Sequence, residues 1–159
     1  WCKNWCFNWL LIINSFWLFL ITDIFEKMID KEILKIASNT KNVGLKNKYT
    51  YKISLKNTLC GDKITLELIT NKTKVCSMKY ETESCIYCEA SASLLSRKIK
   101  NFDLKDLKKD FLILKKNSNK KNFEVPKNLI IFKHLFSRDN FSRISCITLP
   151  FNAVLKALK

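Results

Sequence analysis

Three cysteines and one aspartate carry the chain's capacity for chemistry. Cys60, Cys85 and Cys146 are spread through 159 residues, and each falls at the end of an expected element of secondary structure. That distribution suits one convergent site better than a dense disulfide framework, and in a reducing compartment such thiols serve as metal ligands or redox groups. Asp62 follows Cys60 by two positions, separated from it by Gly61, one of only two glycines in the chain. A glycine there lets the backbone turn so that a thiolate and a carboxylate face one ion. Taken alone, the same tripeptide is the commoner thing, a surface turn.

The remaining thiols and the single histidine fit quieter roles. Cys85 and Cys88 form a Cys-x-x-Cys pair, a spacing used by thioredoxin-like proteins and by half of a zinc site, but no βαβ pattern surrounds it. Cys88 is therefore read as an auxiliary or nonessential thiol. Cys76 alternates with Met78 and Tyr80 and is expected in the core, while His134 is expected at the surface or in packing.

The elements that must position these residues are legible as periodicities. Ile29, Ile33, Leu34 and Ile36 have helical spacing, ended by Ser38-Asn39. Tyr49 to Leu55, Ile64 to Leu68 and Cys76 to Tyr80 alternate with period two, which predicts three strands sharing one buried face, with Asn71-Lys72 as a hairpin turn. Helical periodicity returns after Cys85 through Ile86, Ala90, Leu94, Leu95 and Ile99, and again in Leu104, Leu107, Phe111 and Leu114. Lys115 to Asn122 is a polar linker, and Pro126 opens a helix carrying Leu129, Ile130, Phe132, Leu135 and Phe136. A proline is tolerated in a first helical turn, so Pro150 predicts a final helix from Leu149 to Leu158 with Cys146 at or just before its start. Cys85 has the equivalent place before its own helix. Both thiols would then feel the positive end of a helix dipole, which favours the thiolate that binds metals and attacks sulfur. The predicted fold class is α+β, a three-stranded antiparallel sheet with helices packed on one face.

Composition is that of a globular protein, 47% hydrophobic and 27% charged, in a length that fits one domain. The formal charge of +15 invites a nucleic-acid reading. Only Arg97, Arg138 and Arg143 supply guanidinium groups, however, and the lysines are dispersed. Nucleic-acid recognition leans on arginine, so no nucleic-acid partner is expected, and a solvated lysine surface encoded by an AT-rich genome accounts for the charge. Residues 1–27 differ, with all four tryptophans and an apolar run from Trp5 to Thr22 at the short edge of a membrane span. They are read as a hydrophobic leader outside the native domain, with Cys2 and Cys6 irrelevant to function, and residues 28–159 as the domain. A membrane partner follows only if that leader is genuine.

Three ordered motifs carry a resemblance. Asn57-Thr58-Leu59-Cys60-Gly61-Asp62 resembles the Asn-Pro-x-Cys-Gly-Asp motif of the NifU/IscU-like iron–sulfur cluster assembly scaffold family, with Thr58 in place of proline. Ser84-Cys85 leading to Ala90-Ser91-Ala92-Ser93 resembles its Gly-Cys and Ala-Ser-Ala-Ser segment, with Ser84 in place of glycine. Arg143-Ile144-Ser145-Cys146 through Leu149-Pro150-Phe151 resembles its third motif, and Asn39 to Gly44 is similar to its Asn-Pro-x-Asn-x-Gly. Cys85 and Cys146 are 61 positions apart, which together with Arg143 is similar to the longer SufU-like branch. Ser145 stands where the IscU branch has histidine, and the Leu-Pro-Pro-Val-Lys chaperone segment is absent.

The resemblance implies an IscU/SufU-like fold and a cytoplasmic, non-enzymatic scaffold that receives sulfur from a cysteine desulfurase and passes clusters to recipient apo-proteins. It implies Cys60, Asp62, Cys85 and Cys146 as ligands of iron or of an iron–sulfur cluster of the [2Fe-2S] kind, Cys146 as sulfur acceptor and Arg143 in support. The alternative within the family is a zinc-dependent sulfurtransferase with Zn²⁺ on the same four ligands. The chemistry agrees with either, since thiolates are soft ligands and Asp62 supplies a harder, more readily exchanged fourth.

Overall fold

The computed structural model describes residues 30–100, 102–117 and 124–158. The chain divides into two compact units, Trp1–Glu32 and Ile33–Lys159. The leader of residues 1–27 and the later part of the expected linker lie outside the described residues. Among the described residues no helix is long and apolar enough to cross a membrane.

Helix α1 (Lys31–Ala37) leads by a loop into β1 (Tyr51–Lys56), β2 (Lys63–Asn71) and β3 (Lys74–Glu83). These form one antiparallel sheet in the order β1-β2-β3. Helices α2 (Ile86–Lys98), α3 (Leu104–Asn117) and α4 (Ile144–Ala157) follow, with two 3-10 turns, Lys127–Phe132 and Arg138–Arg143, before α4. α2 packs on β3 and α4, while α4 covers β1 and β2 and is flanked by α3. The helices thus lie on one face of a three-stranded antiparallel sheet. Ile64, Leu66 and Leu68 of β2 and Met78 and Tyr80 of β3 supply the buried sheet face.

Cys76 departs from its expected place in the core and is exposed. The register shifts between Ile69 and Thr70, whose partners are Ser77 and Val75, so Cys76 is the extra residue of a β-bulge. One inserted residue inverts which side chains face inward. Val75, rather than Cys76, therefore enters the core below Met78.

The open face of the sheet is crossed by the loop before β1. The backbone amide of Leu45 donates to Glu81 (3.2 Å), and those of Lys46 and Asn47 donate to Glu67 Oε2 (2.9 and 3.1 Å). Asn47 adopts a left-handed conformation, φ 54°, that asparagine tolerates better than most residues. Glu67 is almost wholly buried and is paired with Lys52 at 3.1 Å. Burial pushes its carboxyl up, but the Lys46 amide, the Lys52 ammonium and the Asn47 amide outweigh that and hold it below the usual range. A depressed carboxylate stabilises the fold above its unfolded value of about 4.3, and that stability is lost as pH falls through the lower folded value. Glu67→Gln should accordingly lower the melting temperature at pH 7, and the gap from the parent should close as the pH is taken towards 3 in a thermal-melt series.

Packing around α4 centres on Phe151. Its ring meets Phe111 and Phe132 edge-on at centroid distances of 4.8 and 4.9 Å, and lies 6.0 Å from Phe136. The segment after Pro126 thus fills the core, with Leu129, Phe132, Leu135 and Phe136 buried. It does so as a 3-10 turn rather than the expected α-helix, leaving Ile130 exposed.

The final helix also differs from its expected span, beginning at Ile144, five residues before Leu149. Pro150 lies inside it. A proline there removes one intrahelical hydrogen bond, the one its nitrogen would have donated to the carbonyl four residues back, on Cys146. The turn upstream is held instead by Thr148, whose hydroxyl donates to the Ile144 carbonyl at 2.8 Å. Cys146 consequently sits within the first turn rather than at or before the helix start.

Candidate metal centre

The loop between β1 and β2 is built by Asn57. Its amide donates to the Asp62 carbonyl (2.7 Å), its carbonyl accepts from Gly61 N–H (2.9 Å), and its side-chain Oδ1 accepts from Leu59 N–H (3.0 Å). The chain folds back over five residues, and Gly61 takes φ +79°, a backbone conformation that penalises any residue with a Cβ. The result lifts Cys60 into solvent and turns Asp62 inward, where it is buried.

Asp62 reaches across to the start of α2. Its Oδ1 accepts the backbone N–H of Cys85 at 3.0 Å, and its Oδ2 accepts the Cys85 thiol at 3.2 Å. Cys85 is the N-cap of α2, in extended backbone with φ −70° and ψ 163°, so a carboxylate meets the helix's positive end. Burial pushes Asp62 up, but the bonds from Cys85, Cys60 and Cys146 outweigh it and leave the carboxyl below its ordinary value. Cys85 is pushed up, by burial first and by its bond to Asp62. Cys146 is pushed strongly up by its own burial and by neighbouring Cys60 and Asp62. Clustered acidic groups hold each other's protons in this way until a cation replaces them.

Cys146 approaches from the first turn of α4, its sulfur 3.3 Å from that of Cys60, 86 residues away. Ligand atoms of Cys60, Asp62 and Cys146 lie within 4.8 Å of one another, and the Cys85 thiol joins them through Asp62. All four candidate ligands are thus brought together at the ends of three elements. Three sulfurs and one carboxylate, one thiol exposed and the others at the wall, fit a soft or borderline cation held at an open rim.

Arg143 caps α4 and stands over the Tyr87 ring at 6.0 Å, a contact that joins the starting turns of α2 and α4 beside the thiols. Cys88, three residues after Cys85, is fully buried, and burial pushes its thiol up to about 12. His134 is on the surface and is not among the clustered groups.

Sequence reasoning quoted Asn57 without giving it work, and it passed over Tyr87. Asparagine three positions before a cysteine, followed by glycine, is the signal of a side-chain-capped turn. The Ala-Ser-Ala-Ser run also has a physical account. Ser91 donates to the Ile147 carbonyl of α4 at 2.7 Å, and Ser93 donates to the Asn39 carbonyl at 3.1 Å. Small buried residues let α2 approach α4 and the Asn39–Gly44 loop, and the two hydroxyls tie α2 to both. Asn42 of that loop completes the join, donating to Ser96 at 3.2 Å.

Fold and site together define a small α+β protein with thiols and a carboxylate gathered at one end. Residues 28–128 match the model of the NifU-like N-terminal domain, and the chain belongs to that family. The chain is 28% identical over 138 residues to the iron–sulfur cluster assembly scaffold protein IscU of Thermotoga maritima, spanning 86% of this chain and 96% of that one. Among solved structures, the N-terminal part of a NifU-like protein from Brucella abortus superposes with a TM-score of 0.72 at 23% identity, covering 81% of this chain and 90% of that one. A structure from Fervidobacterium islandicum, assigned as a scaffold for the SUF system, gives 0.67 at 23% identity, covering 82% and 96% respectively.

Proposed function

We propose that this chain is a scaffold on which iron–sulfur clusters are assembled and from which they are passed on, with Cys60, Asp62, Cys85 and Cys146 holding the cargo. The observation that carries the reading is the meeting of three thiols and one carboxylate from the β1–β2 loop and from the starts of α2 and α4. A cysteine desulfurase would supply sulfur as a persulfide. The Cys146 thiolate attacks its outer sulfur, and the donor leaves as a thiolate. Arg143, held against Tyr87, places a permanent positive charge by these thiolates. Residues 28–159 are the domain that does this, in the cytoplasm, with apo-proteins receiving the finished cluster.

The same donor set supports a second reading, a zinc-dependent sulfur acceptor for the desulfurase, since three thiolates and a carboxylate suit tetrahedral Zn²⁺ equally well. Iron, zinc and acid-labile sulfide measured on anaerobically purified protein separate the two. Sulfide stoichiometric with iron supports the scaffold; zinc without sulfide supports the acceptor, and neither metal would sink both.

Asp62→Ala tests the exchange step. Its oxygen binds soft metals less strongly than thiolate, so it is the point at which a ligand opens. The variant is expected to keep a loaded cluster longer against a chelator and to hand it to an apo-ferredoxin several-fold more slowly. Transfer at the parental rate would rule out Asp62 as the exchange point.

A further inference from the structure

We propose that the outer edge of β1, with the lysine-rimmed groove beside it, is a docking surface for an extended acidic segment of a partner protein. The proposal goes beyond the cargo reading and holds whichever metal the thiols carry.

Sheet order places β2 on one side of β1, and among the described residues no strand pairs with its other side. In an antiparallel ladder, alternate residues of an edge strand direct N–H and C=O away from the sheet, and those groups can pair with an incoming strand. The opposite edge is treated differently. Val43 bridges to Tyr80 on β3, with Gly44 N–H donating to the Tyr80 carbonyl at 2.9 Å and Tyr80 N–H to the Asn42 carbonyl at 3.2 Å. Among the described residues, part of the β3 edge is covered in this way and the outer edge of β1 is not.

A groove of about 360 Å³ runs alongside β1, between α3 and α4. Leu55, Leu112 and Leu155 form its apolar floor, and Lys108, Lys115 and Lys156 stand around it. Leu112 is more than half exposed and offers an apolar surface to a partner. Side chains alternate along a docked strand, so one set would reach the leucine floor while the other passes Ser54 and Lys56 on the open face. Acidic residues within reach of the rim answer Lys108 and Lys156.

Charge decides among occupants. A second copy would pair β1 with itself and set Lys52 and Lys56 against their equivalents, on molecules each carrying +15. Lysines on an edge strand discourage such self-pairing while leaving the edge open to a strand of opposite charge. Nucleic acid would satisfy the lysines but would not use the leucine floor or the strand edge.

The test is fluorescence anisotropy of the full chain with a labelled eight-residue peptide of alternating aspartate and leucine. Two control peptides accompany it, one with lysine replacing aspartate and one with a central proline. Saturable binding in the micromolar range is expected, weakening with salt. The lysine peptide should not bind. The proline peptide, lacking an amide hydrogen in the middle of the ladder, should bind at least about tenfold more weakly. Lys108→Glu with Lys156→Glu, and separately Leu112→Asp, should each weaken binding at least about tenfold while circular dichroism stays unchanged; these are surface positions. Equal binding of the proline peptide would overturn strand pairing, and insensitivity to the substitutions would overturn the location. Equal binding of an oligothymidylate of the same length would reduce the surface to a general polyanion site. A dimer in sedimentation that Leu112→Asp abolishes would give the surface to a second copy, and would overturn the proposal too.

Discussion

Cys85→Ser is expected to lose most of its bound iron or zinc, while Cys88→Ala keeps it at the parental stoichiometry. The two thiols belong to one Cys-x-x-Cys pair, but one is half-buried at the helix start and the other lies wholly in the core. Cys85 caps α2 and donates to Asp62 at 3.2 Å, whereas Cys88 is fully buried among core side chains. A hydroxyl introduced at position 85 can still donate to Asp62, so the loop joint survives and the variant isolates loss of the soft ligand. Cys88→Ala removes one sulfur from a close-packed interior and should cost about 1 kcal/mol of stability, without touching the cluster of ligands. Metal analysis alongside urea titration reads both effects. Equal metal loss in the two variants would show that the pair acts as a unit and that Cys85 alone is too narrow an assignment.

Phe151→Ala should be the most destabilising single change, by about 3–5 kcal/mol, because it removes a buried ring and leaves a cavity among partners that cannot all collapse onto it. Those partners are Phe111, Phe132 and Phe136, drawn from α3 and from the segment after Pro126. The same residue lies midway along α4, whose first turn carries Cys146, so packing of the helix sustains the thiol at its start. For a marginally stable domain this loss can approach the whole folding free energy. Urea titration of Phe151→Leu, which retains most of the volume, distinguishes the cavity from lost ring contacts; a loss under about 1 kcal/mol for the alanine variant would mean that the aromatic cluster does not hold α4.

Much of the architecture was visible as periodicity. The β2 alternation of Ile64, Leu66 and Leu68 survives into the fold without change, because a regular antiparallel strand preserves parity. Cys76 did not follow, because a bulge is a pairing event and leaves no local mark in a run that still alternates. Pro150 misplaced the start of α4 for a related reason. Propensity forbids proline from most helix interiors, but tertiary packing of Phe151 and its neighbours outweighs one missing hydrogen bond. At the site, residue types and spacing brought forward Cys60, Asp62, Cys85 and Cys146, and the structure gathers them. What spacing could not express was how Asp62 reaches Cys85, since that depends on a loop closed by Asn57 and on the N-terminal amide of a helix, both matters of backbone direction.

The proline within α4 bears on how the thiol is held. Upstream of Pro150, regular geometry lets the amides of Ile147, Thr148 and Leu149 donate to the carbonyls of Arg143, Ile144 and Ser145, and the Cys146 carbonyl has no donor four residues on. The ladder from Phe151 onward starts afresh at the Ile147 carbonyl, which Ser91 also holds. The Thr148 hydroxyl bond to the Ile144 carbonyl and the Ser91 bond to the Ile147 carbonyl brace the chain on either side of that missing rung. Cys146, Ile147 and Leu149 are all buried in the core, so packing also holds this turn in place. Cys146 is thus carried by a turn that side-chain bonds and burial keep in place despite the lost backbone bond, and its sulfur stays set opposite that of Cys60.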